Sequence, residues 1–168
     1  HYPQALFVFR DITRQKRAEL LAAQTRLRLQ TVWDAVLVPM RLTDGAGTIV
    51  MANRAYCDLV GMSCKKLEGP PLSLVFDPAG QEQALSDHAR RFERDDSLQQ
   101  HTAEVGFWNG KHATVEVAET FLSLPGQPPM LLSVMRDVTE QRQTEANLQQ
   151  MQRLESIGQL AAGVAHDF

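Results

Sequence analysis

Val134-Met135-Arg136-Asp137-Val138-Thr139-Glu140-Gln141-Arg142 decides the fold, because the chain contains the pattern twice. Val8-Phe9-Arg10-Asp11-Ile12-Thr13-Arg14-Gln15-Lys16 stands 126 residues earlier, with Arg, Asp, Thr and Gln at equivalent places. An echo at that distance marks the end of one module near Thr13 and of a second near Thr139. Only the second has room to be whole. The first is represented by its last strand, residues 5–9.

After each copy the pattern changes from strand to helix. Residues 13–34 contain no Gly or Pro and are rich in Ala, Leu, Gln, Arg and Glu, all strong helix formers. Leu20, Leu21, Leu27, Leu29 and Val32 supply their apolar side. Beyond Thr139, Leu148, Met151, Leu154 and Ile157 fall every three residues, and Ala161, Val164 and Phe168 follow at heptad spacing. A supercoil through this helix is therefore disturbed near Met151 and Leu154. Thr13 and Thr139 are the expected N-caps. Polar residues cover most of each helix, which favours dimeric connectors over helices packed on their own domain.

Between the helices the period is two. Val36, Val38, Met40 and Leu42 alternate with Leu37, Pro39 and Arg41, and Asp44-Gly45-Ala46-Gly47 turns the chain into Thr48-Ile49-Val50-Met51-Ala52. Asn53 is placed to cap a short helix ending at Gly61, and Ser63 to cap another that stops at Gly69. Pro70-Pro71 breaks the chain, and residues 79–94 read as a charged helix. Ala103, Val105 and Phe107 then alternate up to the Asn109-Gly110 turn, Val115, Val117 and Phe121 resume beyond it, and Met130, Leu132 and Val134 form the last strand. The expected fold is α+β: a five-stranded antiparallel sheet with short helices on one face, flanked by long amphipathic N- and C-terminal helices. The units are residues 1–12 (end of an upstream module), 13–34 (connecting helix), 35–138 (the domain), 139–153 (signalling helix) and 154–168.

Composition sets the outer bounds. The chain has 168 residues, 43% apolar and 22% charged, as in globular domains. A net charge of −3 gives no field for gripping nucleic acid. The longest apolar runs are far short of the roughly 20 residues that cross a bilayer. Cys57 and Cys64 make neither a disulfide scaffold nor a zinc-type pair, so they read as thiols in a reducing, cytoplasmic compartment. Beginning at His1, the chain is expected to be a piece of something longer, and a membrane anchor upstream is compatible with it.

The Asp44-Gly45 turn, Asn53, Gly61, Leu67-Glu68-Gly69, Trp108-Asn109-Gly110 and the closing Arg136-Asp137-Val138-Thr139 together resemble a PAS domain, a sensory module of bacterial signalling proteins, over residues 33–139. The resemblance implies strand order 2-1-5-4-3 and a pocket between sheet and short helices. Met40, Met51, Phe107, Val117, Phe121 and Leu132 are its candidate lining, and Asp137 and Thr139 the candidate coupling residues.

Arg153-Leu154-Glu155-Ser156-Ile157-Gly158-Gln159-Leu160-Ala161-Ala162-Gly163-Val164-Ala165-His166-Asp167-Phe168 resembles the phosphoacceptor box of a sensor histidine kinase. That resemblance implies that His166 accepts a phosphoryl group from ATP and that Asp167 is its acid/base partner. A neutral imidazole nitrogen must be free to attack, and a carboxylate on the other ring N–H raises its nucleophilicity. The family's ATP-binding domain is not in these residues, so the chain alone is expected to be inactive, and a response-regulator receiver domain is the implied phosphoryl recipient.

No cofactor is evident in the residues. Flavin-binding PAS domains carry a Cys in an N-C-R-F-L-Q run, which neither Cys57 nor Cys64 matches. Haem-binding members place an axial His on the long helix. His88 is on that helix, but counted from Phe92 the ligand position falls nearer Leu85, and beside Asp87, Arg90 and Arg91 His88 reads as solvated charge. His101 and His112 have no metal spacing, so no metal site is expected. The leading expectation is a homodimeric sensory segment that detects a small molecule or a partner. A dimerisation scaffold with a filled pocket and no ligand is the alternative.

Overall fold

The computed structural model describes residues 13–94 and 99–166. The upstream strand expected at residues 5–9 lies outside them, as does Asp167.

Helix α1 (Thr13–Ala35) leads into β1 (Met40–Thr43) and β2 (Ile49–Ala52). Three short helical segments follow: α2 (Arg54–Val60), α3 (Cys64–Leu67) and a 3-10 turn (Leu72–Val75). The longer α4 (Gln81–Arg94), strands β3 (Gln99–Gly106), β4 (His112–Leu122) and β5 (Met130–Asp137), and helix α5 (Thr139–His166) complete the chain. The five strands form one antiparallel sheet in the order β2-β1-β5-β4-β3. That is the order the PAS resemblance implies.

Local chemistry sets the boundaries. Asn53 caps α2 by accepting from the Tyr56 N–H, and Gly61 ends it in the left-handed region at φ 69°. A side chain at Gly61 would be strained there and would also meet the Asn109 amide. Strand β1 starts at Met40 rather than Val36. The carbonyls of Val36 and Val38 accept from the Asn53 amide nitrogen, and Pro39 has no N–H to give a ladder. Val36 and Val38 are therefore tied to a side chain and not to a strand, and of residues 36–39 it is the Pro39 carbonyl that meets the sheet, accepting from the Met135 N–H at 2.8 Å.

The cross-strand register fixes which face each side chain takes. Arg41 lies opposite Ala52 and Ser133, and Ser133 opposite Glu119. Met40 lies opposite Val134, and Leu42 opposite both Met51 and Leu132. Because side chains alternate, the first row faces the helices and the second faces away. Met40, Met51 and Leu132, candidate pocket residues by sequence, are thus on the far face of the sheet. The apolar alternation there is genuine, but it marks the second face of a sheet that is apolar on both.

Ile49, Tyr56, Val60, Leu67, Leu72, Val75, Phe107 and Val115 fill the space between sheet and short helices. Burying a side chain of this kind contributes about 1.5–3 kcal/mol relative to leaving it exposed. The long helices stand outside this core. Leu20, Leu21, Leu27, Leu29 and Val32 of α1 and Leu148, Met151, Leu154 and Ile157 of α5 are all exposed.

Candidate functional site

A cavity of about 560 Å³ opens between the helix-facing side of the sheet and α4. Its apolar wall comes from Leu72, Val75, Phe107, Val115, Val117 and Met135. Phe107 and Val117, two of the candidate lining residues, are part of this wall. Phe121 packs edge-on against Phe92, with ring centroids 4.9 Å apart, and is not part of the wall.

The polar part of the wall was not legible as a site. Arg41 is 7% exposed, donates from Nη1 to the Tyr56 hydroxyl at 3.1 Å, and has its Cζ 5.8 Å from the Tyr56 ring centre. Its buried Nε has no hydrogen-bond partner. Glu119, 8% exposed, pairs with Arg91 of α4 at 3.0 Å and accepts from the Ser133 hydroxyl at 3.0 Å. The signal for both was their phase. Glu119 continues the Val115, Val117 series, and Arg41 falls on the inward beat of a strand whose apolar residues, Met40 and Leu42, mark the other face.

His88 is a further correction. It is 6% exposed rather than solvated, because α4 lays it on β1. Its Nε2 lies 2.9 Å from the Thr43 hydroxyl oxygen, its ring stacks at 5.0 Å on Phe92, and Thr43 in turn donates to the Leu131 carbonyl at 3.4 Å. Burial lowers its pKa, the Arg41 charge lowers it further, and Glu119 and Asp44 act in opposition. The wall thus carries a neutral imidazole beside a permanent guanidinium. Among the described residues, no group of three or more His, Cys, Asp or Glu side chains could hold a metal ion.

Cys57 and Cys64, read by sequence as thiols, are joined in a disulfide across the α2–α3 corner. The Gly61 turn reverses the chain and brings their Cα atoms to 5.5 Å, within bridging range. A spacing of seven residues carries no sign of this until the turn between them is known.

At the other end of the domain the sheet is wired into α5. The Thr114 N–H donates to Thr139 Oγ1 at 2.8 Å, and the Thr114 carbonyl accepts from the Val138 N–H at 2.9 Å. Asp137 Oδ1 accepts from the Thr139 N–H at 3.0 Å and from its hydroxyl at 2.6 Å, while Oδ2 lies 3.6 Å from Lys111 Nζ. Burial pushes the Asp137 pKa up, but the two Thr139 hydrogen bonds and Lys111 outweigh it and leave the pKa lowered. Thr139 is not the N-cap expected of it. The Val138 carbonyl accepts the first helical bond, from Arg142, which makes Thr139 the first helical residue and frees its hydroxyl for β4. His166 is the last residue of α5, and its side chain, like Asp167, lies outside the described residues.

Comparison with known proteins agrees with this geometry. The chain is 25% identical over 98% of its length to sporulation kinase E of Bacillus subtilis (strain 168), covering 21% of that protein. It is 29% identical over 74% of its length to the signal transduction histidine-protein kinase AtoS of Escherichia coli (strain K12), covering 20% of it. The chain thus spans about a fifth of the length of either relative. Among solved structures, the PAS domain of Bordetella pertussis BvgS superposes with a TM-score of 0.60 at 17% identity, over 77% of this chain and 98% of that one. Residues 33–143 match the family described as the PAS fold. With its sheet order, its helix-covered cavity and relatives among sensor kinases, the chain belongs to the PAS fold family.

Proposed function

We propose that this chain is the signal-input and transmission segment of a cytoplasmic two-component sensor histidine kinase. Its PAS domain senses a small molecule in the cavity and controls phosphorylation of His166 through α5. The observation that carries this reading is the junction of β4, β5 and α5. Four hydrogen bonds and an ion pair among Lys111, Thr114, Asp137, Val138 and Thr139 tie the start of α5 to the strand whose inward side chains, Val115, Val117 and Glu119, line the cavity. A ligand that shifts β4 therefore shifts the helix that ends at His166.

In the phosphorylated centre, His166 supplies a neutral ring nitrogen and Asp167 holds the opposite N–H. The nucleotide comes from an ATP-binding domain outside these 168 residues, and a receiver domain takes the phosphoryl group onward. Two copies of the chain pair through their long helices. In a reducing cytoplasm Cys57 and Cys64 are thiols, and the bridge forms on exposure to oxidant. The open cavity supports ligand sensing over the filled-pocket scaffold.

The test is made in the intact parent kinase. Asp137→Asn and Thr139→Ala leave the domain folded and abolish the dependence of autophosphorylation on signal. Signal-dependent autophosphorylation preserved in both variants defeats the mechanism.

A further inference from the structure

We propose that the cavity takes a small apolar monocarboxylate, whose carboxylate pairs with Arg41 and whose body lies on the wall formed by Val75, Phe107 and Val117. The proposal rests on the reading that the domain senses a small molecule, and it names the class of that molecule.

The argument starts from charge. The cavity lining includes three arginines, Arg41, Arg90 and Arg91, and three acids, Asp87, Glu104 and Glu119. Arg90 is bonded to Asp87, and Arg91 to Glu119. Glu104 is exposed at the rim of β3. Arg41 is therefore the one cavity arginine without a carboxylate within ion-pair distance among the described residues, and it is also the most deeply buried. Glu119 stands in the same cross-strand row but two strands away, with β5 between them. At roughly 4.8 Å per strand this separates the two backbones by about 10 Å, and the Glu119 carboxylate is turned to Arg91 and Ser133.

A guanidinium cannot shed its proton, and it presents five N–H donors. Arg41 satisfies one side with the Tyr56 hydroxyl, a neutral partner, and leaves Nε without any. A buried, unpaired charge of this kind is costly to the folded state, so its retention points to a counterion that comes from outside the chain. The planar fork matches a carboxylate. One unpaired positive charge is balanced by a monoanion, whereas a dianion would bring a second negative charge to a wall whose other cations are already paired. The wall of Leu72, Val75, Phe107, Val115, Val117 and Met135 is apolar, and about 560 Å³ is within the roughly 300–1,000 Å³ of small-molecule sites.

The test uses the 168-residue chain and two acid–alcohol pairs: octanoate with 1-octanol, and 3-phenylpropionate with 3-phenylpropanol. By titration calorimetry at least one acid binds ten-fold or more tightly than its alcohol, and Arg41→Met removes that preference while leaving alcohol binding unchanged. Without ligand, Arg41→Met has a urea midpoint no lower than the parent chain, because it removes an uncompensated charge. An alcohol bound as tightly as its acid on the parent chain overturns the carboxylate proposal and leaves small-molecule sensing standing. A preference that survives Arg41→Met also overturns it, by removing Arg41 as the anchor. No binding of acid or alcohol, with no added mass on the chain in native mass spectrometry, overturns both readings.

Discussion

The Asn53 side chain makes four hydrogen bonds from a position with no solvent exposure. Its side-chain oxygen accepts from the Met40 and Tyr56 N–H groups, each at 2.9 Å, and its nitrogen donates to the Val36 and Val38 carbonyls. The cap on α2 was legible in the sequence. The other three bonds were not, because their partners are 13 to 17 residues away. Asn53→Ala strands several buried polar groups at once, and the expected loss is about 2–4 kcal/mol. Urea titration should show it as a lower midpoint with an unchanged slope. His88 makes a different kind of statement. Its folded pKa is below the ordinary 6.5, so the unfolded chain binds the extra proton first as pH falls. The contribution of neutral His88 is complete above about pH 6.5 and is lost as pH drops from there toward the folded pKa. Arg41, Glu119 and Asp44 are the charged groups acting on it. The urea midpoint should fall between pH 7 and 5, and less steeply in His88→Gln, which keeps a donor for Thr43. Equal slopes in the two proteins would assign the acid sensitivity elsewhere.

At the scale of elements, the five strands and the α-helices of the domain were legible in the sequence, but neither the 3-10 turn at Leu72–Val75 nor the faces of the strands was. Strand β5 is apolar on both beats, so Leu132 was as credible inward as Leu131 and Met135, and in β1 the apolar beat, Met40 and Leu42, is the one that faces away. Only the pairing register separates them. The long separations in the α5 junction hid Thr114 in the same way, since nothing about a threonine in a strand announces a partner 25 residues on. The α2–α3 corner carries a prediction of its own. The Cys57–Cys64 bridge closes a loop with a sequence separation of 7, for which unfolded-state entropy gives a stabilisation of about 2–3 kcal/mol. Adding a phosphine reductant should lower the thermal midpoint of the oxidised domain, and the double variant Cys57→Ser/Cys64→Ser should be insensitive to it. A midpoint that does not move on reduction would show that the corner is held by the core contacts of Tyr56 and Leu67 without the bridge.

For the molecule as a whole, the division of labour follows from where apolar surface remains. Within the domain, Ile49, Leu67, Leu72 and Leu131 have almost no exposure, whereas every large apolar side chain described between Leu20 and Val32 and between Leu148 and Ile157 faces solvent. Helices of 23 and 28 residues with such rows are not held by the sheet, and in the dimer proposed above a second copy of the chain would supply the missing surface. Sedimentation equilibrium should therefore give twice the chain mass. Leu148→Glu/Leu154→Glu should shift the mass toward the monomer while leaving the urea midpoint of the sheet unchanged, because neither residue is part of the buried core. A parent chain that sediments as a monomer at high concentration would remove α5 as a dimer connector. The signal would then have to reach His166 within one chain, along the bonds from Thr114 to Thr139.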